Sequence, residues 1–137
     1  MISFEMFAQT STSPDRLWSV VGDVHRLPDW TDAEEVRLTE PLEEGAVVGV
    51  RVGEVWREWT ILTLGARIWE ARAETDSGRL GIGTRVAADP RGSRLVLAGG
   101  LEPRGSRLRA RALTVPRLRS RFDRWTQAAL SAARGGP

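Results

Sequence analysis

Few side chains in this sequence have the chemistry of a catalyst. His25 is the single histidine, and an imidazole with an unperturbed pKa of about 6.5 is suited to general-base work. It sits beside Arg26 in a polar turn, where a capping or solvent-facing role is the plainer account. Asp29 and Asp32 flank Trp30. Two carboxylates in different environments can divide acid and base roles, but Asp29 also reads as the stop of a short helical turn. Glu70 and Arg72 alternate with apolar residues and are expected to face outward, pairing with charges on neighbouring strands. Arg57 is the arginine that alternation brings nearest an inner face, since it shares a side with Trp59 and Ile61. There is no cysteine, lysine, asparagine or tyrosine. Thiolate and Schiff-base mechanisms are therefore excluded, as are sulfur-ligated and multi-histidine metal sites. No metal and no cofactor is expected.

These residues need elements to hold them. Ile2 to Thr10 alternates apolar and polar and predicts a strand. Ser13-Pro14-Asp15 is a strong helix start: serine caps, proline fits the first turn, and aspartate suits the positive helix end. Leu17, Trp18, Val20 and Val21 follow as the buried side. Val24 to Trp30 predicts a second short helical turn, halted at Leu27-Pro28-Asp29. Strands are expected over Glu34 to Glu40, Val47 to Val52, Val55 to Leu64, Arg67 to Thr75, Leu80 to Ala88 and Arg94 to Leu101. Turns at Asp76-Ser77-Gly78 and Asp89-Pro90-Arg91-Gly92 separate the later ones. Six segments joined by short turns predict an antiparallel meander.

From Ser106 to Arg134 the apolar residues Leu108, Val115, Leu118, Phe122, Trp125 and Ala129 recur at helical spacing. Arg109, Arg117, Arg119, Arg121 and Arg124 take the other side. Pro116 interrupts the pattern, so the segment reads either as one long kinked helix or as a strand or loop to Leu113 followed by a helix capped by Thr114.

At 137 residues the chain reads as one domain over 1–137. It lacks a membrane-spanning apolar run and the basic start of a signal peptide, so a cytoplasmic location is expected. All twenty basic residues are arginine, a bias of the kind that GC-rich coding produces. Residues 1–60 hold five arginines against twelve acids, a net −7, and residues 61–137 hold fifteen against six, a net +9. Complementary solvated faces of one domain are the simplest reading. The alternative is an anionic partner for the arginine-rich end. Residues 102–121 contain no aromatics to interleave with the arginines, which argues against nucleic acid.

The order of strand, two short helices, six strands and a long helix resembles the START-like (Bet v 1-like) superfamily, also called SRPBCC or the polyketide cyclase/dehydrase and lipid-transport group. The residues from Ser13 through Pro14 and Trp18 to Asp23, then Leu27-Pro28-Asp29-Trp30, are similar to that family's opening. Trp59-Thr60-Ile61 and Gly92-Ser93-Arg94-Leu95 add to the match. The resemblance implies an α+β helix-grip, in which a curved antiparallel sheet of about seven strands wraps the long C-terminal helix and leaves a cavity. Its members bind lipids, sterols, polyketides or quinones, and a minority catalyse cyclisation or dehydration. These motifs specify a shape rather than a reaction.

Alternation nominates the lining of such a cavity. Trp59 and Ile61 face inward in one strand, Trp69, Ala71 and Ala73 in the next, and Leu80, Ile82, Thr84 and Val86 after that. Leu95 and Leu97 follow, with Leu118, Phe122 and Trp125 covering from the helix. The same spacings also describe a filled core, since six tryptophans are enough to occupy the space. The ligand-binding candidates are Trp59, Ile61, Trp69, Ala71, Ile82, Val86, Leu97, Leu118, Phe122 and Trp125, for a small hydrophobic molecule bound without catalysis. A cyclase or dehydratase is the second reading, with Arg57 stabilising an enolate and His25 as a further candidate. The cyclases of this superfamily are described as using arginine, tyrosine and histidine in the pocket, and this chain has no tyrosine. An interaction module is the third, including peripheral contact of the arginine-rich helix with a membrane surface. Monomer and homodimer are both compatible with the sequence.

Overall fold

Strict alternation at the N-terminus makes β1 (Ile2–Thr10) an edge strand with Ile2 and Phe4 buried and Ser3 and Glu5 exposed. These relations come from a computed structural model, which describes residues 1–39 and 41–135. Ser13 then starts helix α1 (Pro14–Val21), its Oγ accepting the backbone N–H of Arg16 at 3.2 Å. Pro14 costs nothing at this position because its missing N–H has no helical partner there. Asp23 caps a 3-10 turn, Val24–Asp29, by accepting the N–H of His25 at 3.0 Å.

The remaining strands are β2 (Glu35–Arg37), β3 (Val47–Val52), β4 (Val55–Gly65), β5 (Ile68–Thr75), β6 (Gly78–Asp89) and β7 (Gly92–Pro103). They pair antiparallel in the order β1-β7-β6-β5-β4-β3-β2. The curved sheet grips a C-terminal helix that runs over residues 107–133. The expected helix-grip architecture is therefore the observed one. Among the described residues no helix is long and apolar enough to cross a membrane.

Several strand boundaries differ from the sequence expectation. Strand β2 ends at Arg37, and the expected last residue, Glu40, lies outside the described residues. Arg67 belongs to the β4–β5 turn at φ 60° rather than to β5. The β6–β7 hairpin is longer than the side-chain pattern marks, with Gly78 opposite Pro103, because ladder pairing is made by backbone and needs no side chain.

The long helix also passes Pro116 in an unexpected way. Residues Ala110–Thr114 form a π turn, and the N–H of Val115 reaches back to the carbonyl of Ala110. The widened turn gives room where a proline ring would clash with the carbonyl four residues before it. It also holds one more residue than an α turn, which shifts the helical phase by about 100°. Leu108, expected on the buried side, is consequently 79 % exposed, and Ala110 takes the inward place. Beyond the π turn the expected phase holds, with Val115, Leu118, Phe122 and Ala129 buried.

Candidate functional site

The pleat fixes which side chains meet on the concave face. Ile61, Ala71, Ile82, Gly99 and Phe4 are cross-strand neighbours in one row from β4 to β1. Small residues at two points of this row control how close the helix comes. A β-carbon built on Gly99 would fall 2.4 Å from Phe4 Cζ and 2.8 Å from Phe122 Cε2. The bare backbone there lets Phe122 seat against Phe4, ring centroids 5.1 Å apart. Ala71 leaves space that a larger residue would take.

The helix packs over β1 and β7 at one side of the sheet. The other side, from β3 to β6, is not filled by it. A cavity of about 450 Å³ lies there, between the sheet, the 3-10 turn and the helix. Its floor includes Ile61, Trp69, Ala71 and Ile82, and its roof is Leu118, Phe122 and Trp125. Phe122 and Trp125 stack with centroids 5.3 Å apart, which fixes the roof's shape. Trp69 is held from behind, its Nε1 donating to the carbonyl of Val21 at 2.6 Å.

Eight of the ten nominated ligand-binding residues line this cavity: Trp59, Ile61, Trp69, Ala71, Ile82, Leu118, Phe122 and Trp125. Val86 and Leu97 do not. Leu97 belongs to β7, beneath the helix, and is fully buried. Val86 lies toward the end of β6, the strand against which α1 also packs, and it too is core. Period-two alternation identifies a face but not which part of it stays uncovered.

The sequence reading also passed over residues that line the cavity, among them Trp30, Val24, Leu27, Val48 and Val50. For Val48 and Val50 the signal was available, because they alternate with Gly49 and Arg51 in β3. Val24 and Leu27 belong to the 3-10 turn and Trp30 caps it. No strand or α-helix period covers so short a segment.

The chemistry-bearing candidates fall into separate places. His25 is exposed and outside the cavity. Asp29 pairs with Arg26 at 2.8 Å, whereas Asp32 lines the cavity and pairs with Arg121 at 3.6 Å. The two aspartates thus have different arginine partners and do not form a carboxylate dyad. Arg57 lines the cavity, and its Nη1 donates to the backbone carbonyl of Glu74 at 2.6 Å. Glu70 and Arg72 face outward as expected, but among the described residues neither makes an ion pair. The pairing on that surface is instead made by Arg79, with Glu74 at 2.8 Å and Glu102 at 3.9 Å. No group of three or more metal-ligating side chains occurs among the described residues.

Comparison with known proteins bears on the architecture. No family model and no curated protein matches the sequence. Solved structures do match. Ara h 8.0201 is 14 % identical with a TM-score of 0.75, over 98 % of this chain and 99 % of that one. The Zhui aromatase/cyclase from Streptomyces sp. R1128 is 20 % identical with a TM-score of 0.69, over 98 % and 92 %. A START superfamily protein from Mycobacterium smegmatis is 11 % identical with a TM-score of 0.74, over 97 % of each chain. The chain has the START/Bet v 1-like fold, and at these identities the likeness extends to the fold alone.

Proposed function

We propose that the chain binds one small hydrophobic molecule, a lipid, a polyketide or a related compound, in the cavity between sheet and helix, without catalysing a reaction. One observation carries this reading: the tryptophans do not fill the space, and about 450 Å³ lined mainly by apolar and aromatic side chains stays open. That volume lies in the range of small-molecule sites. Flat apolar ligands suit the stacked Phe122 and Trp125. Ligand present at about a hundred times its Kd stabilises the folded state by about 2.7 kcal/mol. A thermal-shift panel of hydrophobic compounds is therefore expected to raise the Tm by several degrees for at least one member, with quenching of tryptophan fluorescence. A panel with no shift in any member contradicts the reading.

A cyclase or dehydratase is favoured by one feature, the guanidinium of Arg57 in the lining, where it can face an enolate. That reading requires turnover of a polyketide-like carbonyl compound that disappears in Arg57→Ala.

A membrane-surface role is favoured by a different one. Arg104, Arg107, Arg109, Arg111, Arg117 and Arg119 make no ion pair among the described residues. Leu108 and Leu113 stand exposed between them. This segment begins beside the cavity, since the N–H of Arg104 donates to the carbonyl of Ser77, a lining residue, at 3.0 Å. Each arginine near an anionic bilayer contributes about 1 kcal/mol. Cosedimentation with phosphatidylserine-containing vesicles, absent with pure phosphatidylcholine and abolished by salt, is the expected result. Equal behaviour with both lipids contradicts it.

A further inference from the structure

The sheet has two edges, and they are guarded differently. Strand β2, at one end, is three residues long and carries Glu35 and Arg37. A short, charged edge is a poor template for another chain. Strand β1, at the other end, is nine residues long. It runs in unbroken register against β7, from Ile2 opposite Leu101 to Thr10 opposite Ser93, without a bulge. It holds no proline, and Glu5 is its one charged side chain. Every second residue of an end strand turns its N–H and C=O away from the ladder. Among the described residues, none of those groups from Ile2 to Gln9 has a backbone partner beyond β7.

The side chains along this edge are also incompletely covered. On the inner face Met6 and Ala8 are only partly buried, whereas Leu97 and Leu95, directly across from them in β7, are fully buried. On the outer face Phe7 is 56 % exposed, and the guanidinium of Arg94 lies 5.0 Å from its ring centroid. Neither Arg94 nor Glu5 makes an ion pair among the described residues. Free backbone groups, apolar side chains and two unpaired opposite charges on one edge fit a strand that brings the same features in reverse order.

We infer that β1 is the surface through which two copies of the chain associate, paired antiparallel to β1 of the second copy about a two-fold axis at Met6. Two facing strands keep one pleated surface only when inner-face residues oppose inner-face residues, so the residue at the axis faces its own counterpart. Charge then sets the register. An axis at Glu5 puts the two carboxylates against each other. An axis at Phe7 does the same to the two Arg94 side chains, each held over its own Phe7. With the axis at Met6, Glu5 lies opposite Phe7 of the second copy, their Cα atoms within about 5.5 Å, and so beside its Arg94. Unlike charges across a strand pair are favourable and like charges are not. Two equivalent Glu5–Arg94 pairs form, and Phe4 lies opposite Ala8. The interface uses one patch twice and closes at two copies. It leaves the cavity clear, because β1 contributes nothing to the lining.

Sedimentation velocity of the full chain, from low micromolar to submillimolar concentration, tests this. The mass is expected to rise from the 15.1 kDa of one chain toward twice that value. Glu5→Arg and Arg94→Glu each bring like charges together, and each is expected to weaken the dimer about tenfold or more. Mixed in equal amounts, the two variants are expected to restore it, because each supplies the charge that the other lacks. Circular dichroism shows that the variants used are folded. A second readout needs no variant: in the wild type, the alternate β1 amides that face away from β7 are expected to exchange slowly at high concentration and about tenfold faster or more on dilution. A chain that stays monomeric throughout overturns the inference. So does a dimer indifferent to either charge reversal, a mixture of the two folded variants that restores nothing, or β1 amides left unprotected where the dimer forms.

Discussion

Arg121 of the C-terminal helix reaches Asp32, which follows the 3-10 turn, with Nε 3.6 Å from Oδ2. Both side chains line the cavity and both are about half exposed, so the pair ties the two halves of the rim together over the space. An exposed pair of this kind contributes less than about 1 kcal/mol to stability. Its consequence is expected in exchange kinetics. Arg121→Ala should raise both the association and dissociation rates of a hydrophobic ligand several-fold in stopped-flow fluorescence, with Kd and Tm little changed. Unchanged rates would mean that ligand enters elsewhere.

Thr84 is 1 % exposed on the inner face of β6, and its hydroxyl is buried with no hydrogen-bond partner among the described residues. It lies outside the cavity lining, so no ligand is expected to satisfy it. Valine has nearly the same shape and no hydroxyl. Thr84→Val is expected to stabilise the chain by about 1 kcal/mol in urea unfolding, through relief of the desolvation cost. A destabilised variant would show that the hydroxyl has a partner in solution.

On the outer face, the hydrogen bond from Arg79 Nε holds the Glu74 carboxyl below its ordinary value of 4.5, with help from the positive charges of Arg79, Arg104 and Arg72. For a carboxylate lowered on folding, the stabilising contribution is present in full above the ordinary value. It is lost as the pH falls through the lowered one. The Tm difference between wild type and Arg79→Gln is expected to be constant from neutral pH to about 5 and to shrink in more acidic solution. A difference that stays the same down to pH 2 would exclude Glu74 as the partner that matters.

How much of this was legible in the sequence depends on the range of the signal. Trp69, Ala71 and Ala73 announce their face because strand alternation is local and β5 obeys it over its whole length. The Ser13 cap is legible for the same reason. Leu108 misleads, because one extra residue in the π turn at Ala110–Thr114 rotates everything before it, and nothing in the spacing of Leu108 and Val115 reports that insertion. Val86 and Leu97 mislead differently. Their face is read correctly, but whether a face is covered by a helix is a tertiary fact. The pairing of Asp32 with Arg121, and the burial of the Trp30 and Trp125 Nε1 groups with no hydrogen-bond partner among the described residues, are likewise relations between distant segments. They emerge only when the helix is laid across the sheet.

The central claim is that the space beside Ala71 is open and takes an apolar molecule. Ala71 sits between Ile61 and Ile82 in the row that floors the cavity, so Ala71→Leu fills part of that space from a rigid strand. The direct measurement is fluorescence titration of wild type and Ala71→Leu with N-phenyl-1-naphthylamine, a neutral apolar probe that brightens when it leaves water. Saturable binding of one probe per wild-type chain is expected, weakened about tenfold or more in a variant of unchanged Tm, since a site lined by apolar groups loses affinity with the contact area removed. No saturable binding to the wild type, or equal affinity in the filled variant, would contradict the account.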